Sequence, residues 1–345
     1  MGRKLALDLG ATRVRAALAG RGGRSEVMVD EPAVVALERH AGRDQVVATG
    51  ADALEMLGRT SEGVRAVHPV REGRVEDFAA AEALLREVLG STSARFSRKP
   101  QVAVCVPAGA TEVEQRSFSE SARAAGAKDV TLVPAVAAAA LGAGLPILEP
   151  KATMVVDLGG GTTEAAVFAL GGVVASSASP LGGDRMDASL AAWLLEHRGL
   201  QVGERSAEAL KRQGGCAVPM KRAKPARIRG RDVSSGMPTE VALQAEEVRA
   251  ALVPVLDAIV AQIADTLAQT PPELAGDLLE RCIDGFTVGL IARDAEETVV
   301  WDASRARRDG DPVTQIREPT GCRETDTTVA ARHQDGALPR CVLGH

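Results

Sequence analysis

The sequence predicts an α/β protein of two lobes, each built around its own sheet. Three observations carry that expectation. One short pattern occurs twice, as Leu5-Ala-Leu-Asp8-Leu-Gly10-Ala-Thr12 and as Met154-Val-Val-Asp157-Leu-Gly159-Gly160-Gly161-Thr162-Thr163. Each copy is an apolar strand running into Asp-Leu-Gly, then a turn of glycines and hydroxyls, then a second apolar strand (Val14 to Leu18, Ala165 to Leu170). Strands and helices alternate after both copies, and 345 residues suffice for two separate cores.

The opening segment reads strand, turn, strand, and Glu31-Pro-Ala-Val-Val-Ala-Leu37 reads as a third strand. Asp77 to Leu89 carries apolar residues at helical spacing (Phe78, Ala81, Leu84, Leu85, Val88), with an end expected at Gly90. Gln101 to Val106 is a buried strand that stops at Pro107. Thr111-Glu-Val-Glu114 is a capping box, so a helix starts there, and Gly126 closes it. Val130 to Val133 is the next strand, and Val136 to Leu141 begins an Ala-rich helix. From Met154 the plan repeats. Gly182-Gly183-Asp184 precedes a helix running to about His197, and Val241 to Leu243 is a short strand. Glu246 to Leu267 is a long amphipathic helix, with Val248, Ala251, Leu252, Val255, Ile259, Ile263 and Leu267 on one face. Pro254 falls inside it, where a kink is expected. Thr270-Pro-Pro-Glu273 predicts a further helix with Thr270 as N-cap, Pro271 at N1 and Glu273 at N3.

Sustained periodicity stops after about Arg281. Residues 282–345 are rich in Arg, Asp, Thr and Gly, and only Phe286 to Ala292 and Thr298 to Trp301 remain as apolar runs. The expected organisation is a first lobe over 1–147, a second over 148–281, and a poorly packed tail over 282–345. Such a tail buries too little apolar surface to offset its ordering entropy, which leaves the second lobe's sheet incomplete.

Composition narrows the class. Hydrophobic residues at 45% and charged residues at 25% suit a soluble globular protein. A net charge of −5 gives no electrostatic reason to expect nucleic acid. No apolar run reaches the length expected of a membrane span, and Met1-Gly-Arg-Lys4 enters a strand at once, so no signal peptide is expected. Cys105, Cys216, Cys282, Cys322 and Cys341 lack metal-type spacing, which points to a reduced, cytosolic protein.

The repeated turn carries the chemistry. Glycine lets backbone approach a phosphate closely, and successive turn N–H groups form an anion nest. Asp8 and Asp157 can each hold a hydrated Mg²⁺ or orient a water. Two such loops facing each other would clamp a nucleotide's phosphates from both sides. Asp-Leu-Gly alone is more often a hairpin, whereas Asp157-Leu-Gly-Gly-Gly-Thr-Thr-Glu164 after an apolar strand is far more specific. It is neither a Walker loop, since no Gly-Lys-Ser/Thr follows, nor a dinucleotide fingerprint, since the turn leads into a strand. His40, His68 and His197 are scattered and are given no catalytic or metal role. Lys221-Arg-Ala-Lys224 with Arg227, Arg229 and Arg231 reads as an exposed loop, or alternatively as a contact for an acidic partner.

Several longer stretches resemble MreB, the bacterial actin-like cell-shape family. Beside the two loops these are Pro69-Val-Arg-Glu-Gly-Arg-Val-Glu-Asp77-Phe, Val106-Pro-Ala-Gly-Ala-Thr-Glu-Val-Glu114 and Ala138-Ala-Ala-Leu-Gly-Ala-Gly-Leu-Pro146. Gly183-Asp-Arg-Met-Asp187, Gly203-Glu-Arg205, Arg229-Gly-Arg-Asp232 with Gly236-Met-Pro238, and Thr270-Pro-Pro-Glu-Leu274 continue it, so the match runs from residue 4 to about 281. The resemblance implies an actin-like two-lobed ATPase fold of duplicated ribonuclease-H-like domains. It further implies a cytoplasmic, ATP-binding scaffold that forms filaments beneath the membrane and guides wall synthesis. The implied partners are further copies of itself, an intact paralogue and membrane proteins of wall synthesis. On the same basis Asp8, Asp157 and Thr162 are the catalytic candidates, with Asp8 and Asp157 holding Mg²⁺ through water. Gly10, Ala11, Thr12, Arg13, Gly159, Gly160, Gly161, Thr163, Gly183, Glu208 and Lys211 would contact ATP. Arg13 either meets a phosphate oxygen or reaches solvent, and Glu208 with Lys211 is either the adenosine side or a solvated helix face. Gln213 stands where the family commonly has an acid.

Departures from the family pattern weigh as much. The family's first loop reads Asp-Leu-Gly-Thr-Ala-Asn-Thr, whereas here Ala11 has lost a hydroxyl and Thr12 has gained one. The family places Glu-Glu-Pro before its Ala-rich helix, and the second Glu positions the attacking water. Here the segment is Val133-Pro134-Ala135-Val136, so that position is Ala135. Alanine cannot polarise water, and loss of such help costs on the order of 10²–10⁴ in rate, so any hydrolysis is expected to be slow. Cys282-Ile-Asp-Gly285-Phe-Thr-Val-Gly289 replaces the family's Gly-Gly-Gly adenosine loop, which suggests a shifted reading frame or a decayed C-terminus. Ala94-Arg95-Phe96-Ser97 offers a single Phe at the family's membrane-contact loop, so membrane contact is expected to be peripheral and weak. Two further readings stay open. One is a hydrolysis-deficient pseudo-ATPase regulating filaments of an intact paralogue. The other, disfavoured by the missing acid and the lack of a substrate-binding insert, is a metabolite phosphotransferase of the same fold class.

Overall fold

The computed structural model describes residues 4–19, 25–40, 42–93, 99–217, 224–284, 289–292, 300–301, 313–314, 316–317 and 329–330. The chain divides into two compact units. One is Met1–Ala139 with Gly159–Thr162 and Ala178–Pro180; the other is Ala140–Leu158, Thr163–Ser177 and Leu181–His345.

In chain order the first unit runs β1 (Lys4–Leu9), β2 (Arg13–Ala19), β3 (Ser25–Pro32), β4 (Val35–His40), β5 (Arg43–Thr49), α1 (Gly50–Met56), β6 (Val64–Val67), β7 (Val70–Arg71), β8 (Arg74–Val75), α2 (Phe78–Ser93), β9 (Gln101–Val106), α3 (Glu112–Ala124), β10 (Asp129–Pro134) and the start of α4 (Ala135–Gly142). Its main sheet has the order β10-β9-β1-β2-β3. β1 is parallel to β9 and antiparallel to β2, so Asp8 lies between Cys105 and Arg15. Alternation along β1 turns Leu5, Leu7 and Leu9 into a core shared with Leu84, Leu85 and Val88 of α2 and Phe118 of α3. Each such side chain contributes about 1.5–3 kcal/mol of burial. The capping box forms as the sequence predicts: Glu114 N–H donates to the Thr111 hydroxyl, and the Glu114 carboxylate accepts from Thr111 N–H. Gly126 follows the helix at φ +118.

Two expectations are corrected here. Glu31 to Leu37 is not one strand but the end of β3 and the start of β4, because Ala33 N–H leaves the ladder to bond Thr12 carbonyl at 2.8 Å. α2 does not stop at Gly90. It continues to Ser93, and the Ser91 and Thr92 hydroxyls donate back to Val88 carbonyl in its last turn.

The second unit contains β11 (Thr153–Leu158), β12 (Thr163–Ala169), β13 (Gly172–Ser179), α5 (Gly183–Arg198), β14 (Leu200–Gln201), α6 (Glu204–Gly214), β15 (Ala226–Asp232), β16 (Pro238–Leu243), α7 (Ala245–Ala268), α8 (Pro272–Asp284) and β17 (Gly289–Ala292). Its sheet has the order β13-β12-β11-β17. β17 lies parallel to β11, with Val155 opposite Gly289 and Leu158 opposite Ala292. The expectation that the tail adds no strand to the second lobe is therefore wrong. A four-residue ladder along a fully buried strand is held by backbone groups and needs no long periodicity. The expectation of poor packing for the remaining tail lies outside the described residues, apart from two-residue ladders pairing Val300–Trp301 with Ile316–Arg317 and Val313–Thr314 with Val329–Ala330.

Two further readings change, and a third is sharpened. Arg227, Arg229 and Arg231 belong to strand β15 rather than a loop; Ala226 and Ile228 turn inward, while Arg227 and Arg229 each pair with Glu240 at 2.8 Å. Helix α8 begins at Pro272, and Thr270 is not its N-cap: its hydroxyl donates to Thr266 carbonyl at 3.1 Å, at the end of α7. By length and composition alone α7 would pass as a membrane-crossing helix. It is a core helix instead: Val248, Ala251, Leu252, Val255 and Ile259 pack with Leu190 and Leu194 of α5 and Leu210 of α6, and Pro254 lies within an unbroken helical span.

Candidate phosphate-binding site

The repeated motif folds into the same turn twice. Gly10 N–H donates to Arg13 carbonyl at 3.0 Å, and Gly159 N–H donates to Thr162 carbonyl at 2.8 Å. A Cβ on Gly10 would lie 3.0 Å from the Arg13 oxygen, and one on Gly159 would lie 3.3 Å from the Thr162 oxygen, so each turn favours glycine. The first unit brings the two turns together. A Cβ on Gly161 would stand 2.9 Å from Ala11 Cβ and 3.1 Å from Glu72 nitrogen, so backbone meets backbone there. The turn at Glu72–Gly73, between β7 and β8, forms a third wall: a Cβ on Gly73 would fall 2.7 Å from the Thr162 methyl and 3.1 Å from Pro107. His68 Nδ1 donates to Ala11 carbonyl at 2.9 Å and ties that segment to the first loop.

Charges around the first loop are mutually engaged. Arg13 Nε donates to Asp30 Oδ1 at 2.7 Å and its Nη2 donates to Asp30 carbonyl at 3.0 Å. Arg15 stands cross-strand between Asp30, at 3.1 Å, and Asp8, at 3.8 Å. The Arg13 guanidinium is partly exposed and held along β3 by Asp30. Asp77 of the following segment caps α2 by accepting from Ala80 N–H at 2.9 Å. Burial pulls the Asp77 carboxyl upward, but the Ala80 amide and the Arg65 guanidinium together hold it below the ordinary range. Ala135, 5% exposed, opens α4 directly after Pro134, which pairs with Val106.

The second unit holds the other candidates. Asp157 is 4% exposed on β11, with Thr163 opposite Leu158 at the start of β12. The Thr163 hydroxyl donates to Leu181 carbonyl, and its own carbonyl accepts from Gln262 at 3.0 Å. Gly183 is the first residue of α5 after N-cap Gly182. Lys211 of α6 donates to Gly183 carbonyl and to Asp187 Oδ2, both at 2.9 Å. Glu208 pairs with Arg212 at 2.9 Å. Sequence reasoning quoted Asp187 as part of a motif but gave it no role. It is 5% exposed, and its Oδ1 is buried with no hydrogen-bond partner among the described residues. Burial pushes its carboxyl up to about 7; Lys211 opposes that, while Glu208 and Asp184 add to it. The loop 94–97 and residues 221–223 lie outside the described residues.

Comparison with known proteins converges on one group. A family model described as MreB/Mbl protein matches residues 2–289. The cell shape-determining protein MreB of Escherichia coli strain K12 is 38% identical over 322 residues, covering 92% of this chain and 90% of that protein. The cell shape-determining protein Mbl of Bacillus subtilis strain 168 is 36% identical over 281 residues, covering 81% of this chain and 82% of that one. Among solved structures, MreB5 of Spiroplasma citri bound to AMPPNP superposes with a TM-score of 0.76 at 29% identity, covering 85% of each chain. The MamK double helical filament subunit, at 22% identity and a TM-score of 0.63 over 79% of this chain and 82% of that one, shares the fold.

Proposed function

This chain belongs to the MreB/Mbl family of actin-like, cell shape-determining proteins, and from that premise we propose that it binds ATP and assembles into filaments that guide wall synthesis. The observation that carries the nucleotide reading is the turn built twice, with Gly161 of the second copy packed on Ala11 of the first. Two glycine turns in contact would let backbone approach a polyphosphate closely, with the loop N–H groups not already bonded within each turn as its donors. The Spiroplasma citri relative, whose structures contain AMPPNP and ADP, supports the same ligand class. Asp8 and Asp157 would hold Mg²⁺ through water. The fit rests on their chemistry: hard carboxylate oxygens suit this ion, and each stands at the same place in its turn. Mg²⁺ would neutralise phosphate charge. Gly10, Ala11, Thr12, Gly159, Gly160 and Gly161 would line the phosphates, Thr162 would stand at the reacting end, and Gly183, Glu208 and Lys211 would serve the nucleoside. Thr163, with its hydroxyl on Leu181, would hold the loop rather than the ligand.

The partners proposed are further copies of this chain, an intact paralogue and membrane proteins of wall synthesis, in the cytoplasm with peripheral membrane contact. Ala135 favours one second reading, a hydrolysis-deficient regulator of a paralogue's filaments. Sedimentation of purified protein with and without ATP, beside titration with a fluorescent ATP analogue, separates these. Binding with ATP-dependent pelleting supports the filament reading. Binding without pelleting supports the regulator, and absence of binding overturns both.

A further inference from the structure

The turn between β7 and β8 packs against the glycine-rich loops. Glu72 takes φ +49 and Gly73 φ +77, the positive-φ pair of a two-residue hairpin turn that joins β7 to β8. The turn abuts the second loop. Glu72 nitrogen and Cα lie 3.1 and 3.5 Å from where a Gly161 Cβ would be, and Gly73 abuts the Thr162 methyl and Pro107. Pro107 follows Val106 at the end of β9, and Val106 pairs with Pro134 at the end of β10. Ala135 is the next residue. The tip of the turn, the second loop and the strand end that carries Ala135 thus converge within one unit. The acid of this tip is Glu72. Its side chain is 55% exposed, within reach of water, and it accepts from Arg74 Nη2 at 2.7 Å.

We propose that Glu72 supplies the catalytic carboxylate absent at position 135: it orients a water for attack on a bound nucleoside triphosphate and takes that water's proton. The inference rests on the nucleotide reading above. The water oxygen bonds to the terminal phosphorus as the bond to the bridging oxygen breaks. The nucleoside diphosphate leaves with that bond's electron pair, and Glu72 passes its proton to solvent. Arg74 pairs with the carboxylate, and the packed backbone of the turn anchors the residue that carries it. An acid placed on a turn rather than at the head of α4 gives slow catalysis, since its side chain is less confined than one inside the site.

The test measures fluorescent ATP-analogue binding and single-turnover phosphate release on the same full-length preparations. The proteins are the wild type, Glu72→Gln, Glu72→Asp, and Glu72→Gln combined with Ala135→Glu. The expected result is unchanged affinity throughout, release about 10²-fold slower in Glu72→Gln, partial recovery in Glu72→Asp, and recovery in the double variant. Ala135→Glu alone is measured in parallel: a catalytic Glu72 matters much less in that background, so Glu72→Gln slows release there far less than in the wild type, whereas a merely structural loss is the same in both. Unchanged release in Glu72→Gln, or release at background in the wild type, with binding intact, overturns the proposal and leaves the nucleotide reading standing. Loss of binding in Glu72→Gln alone also overturns it, since the role is then structural. No binding by the wild type overturns the nucleotide reading and this proposal together.

Discussion

Asp8 and Asp157 occupy the same position of the same turn, yet their strands differ. β1 alternates between buried and accessible residues, and the Asp8 side chain is 21% exposed beside Arg15. β11 is buried at every residue, Asp157 included. The first loop is therefore held by ion pairs that water can reach, from Asp8 through Arg15 and Asp30 to Arg13. The second is held by close backbone packing at Gly161 and by the buried Thr163 hydroxyl. Ion pairs of the first kind are each worth little, whereas packing contacts of the second kind do not yield by small amounts. One motif thus has two modes of support, and the second loop is the more fragile.

The largest expected effect concerns the acid that neither loop supplies. Ala135→Glu should raise steady-state phosphate release by about 10²-fold or more where a nucleotide binds. A colourimetric phosphate assay reads it, and an unchanged rate with binding intact means position 135 does not face the reacting phosphate. Next comes the packing contact itself. Gly161→Ala places a methyl against Ala11 Cβ and Glu72 nitrogen, an overpacking that costs about 1–3 kcal/mol. Ala11→Gly in the same chain should recover part of that loss, because it removes one of the two clashing atoms. Urea midpoints compare the single and double variants. If Gly161→Ala is no less stable than wild type, the contrast between the two loops collapses.

Much of this was readable in advance, and the reasons for the misses are physical. The repeated turn and the capping box at Thr111 are local: their hydrogen bonds span three residues, so the residue types alone specify them. Helix α2 passed Gly90 because glycine weakens a helix without ending it, and Ser91 and Thr92 satisfy carbonyls in the last turn. β15 was hidden because Arg-Ile-Arg-Gly-Arg alternates but reads as a charge run. β17 was hidden because four residues carry no period, and a partner strand far along the chain decides their state. The Lys211–Asp187 pair joins two helices, and no local spacing announces it. Nor does residue type reveal that Arg13 is held by Asp30, because that partner lies on another strand, 17 residues along the chain.

The buried pair in the second unit gives an effect of intermediate size, read through pH. The Asp187 carboxyl sits at about 7 against an ordinary 3.8, with burial as the chief cause. The folded chain therefore binds more protons than the unfolded chain between those values. Stability from this group is fully present at the acid end of that window, falls as pH rises toward 7, and changes no further above it. Asp187→Asn removes the titration and should flatten that portion of a urea-midpoint profile against pH. The same slope in both proteins would assign it to other groups and leave Asp187 paired at all pH values.

The smallest effect is expected at Arg13, and it tests the first half of the comparison directly. A phosphate-binding arginine would lose substantial affinity on truncation, since a charge-assisted bond to an anion is removed. Arg13 is placed differently: two of its nitrogens are on Asp30, and both side chains are partly exposed, at 32% and 42%. Arg13→Ala should therefore leave ATP-analogue affinity within a few-fold of wild type and lower stability by about 0.2–1 kcal/mol, as exposed pairs do. Arg15 remains beside both Asp30 and Asp8 in that variant, so the network is thinned and not broken. Raised salt should shrink the difference further, because exposed pairs are screened over about 8–10 Å near physiological ionic strength. A tenfold loss of affinity, about 1.4 kcal/mol, would show that Arg13 leaves Asp30 for the nucleotide on binding. The first loop would then also depend on a contact that forms only with the ligand present.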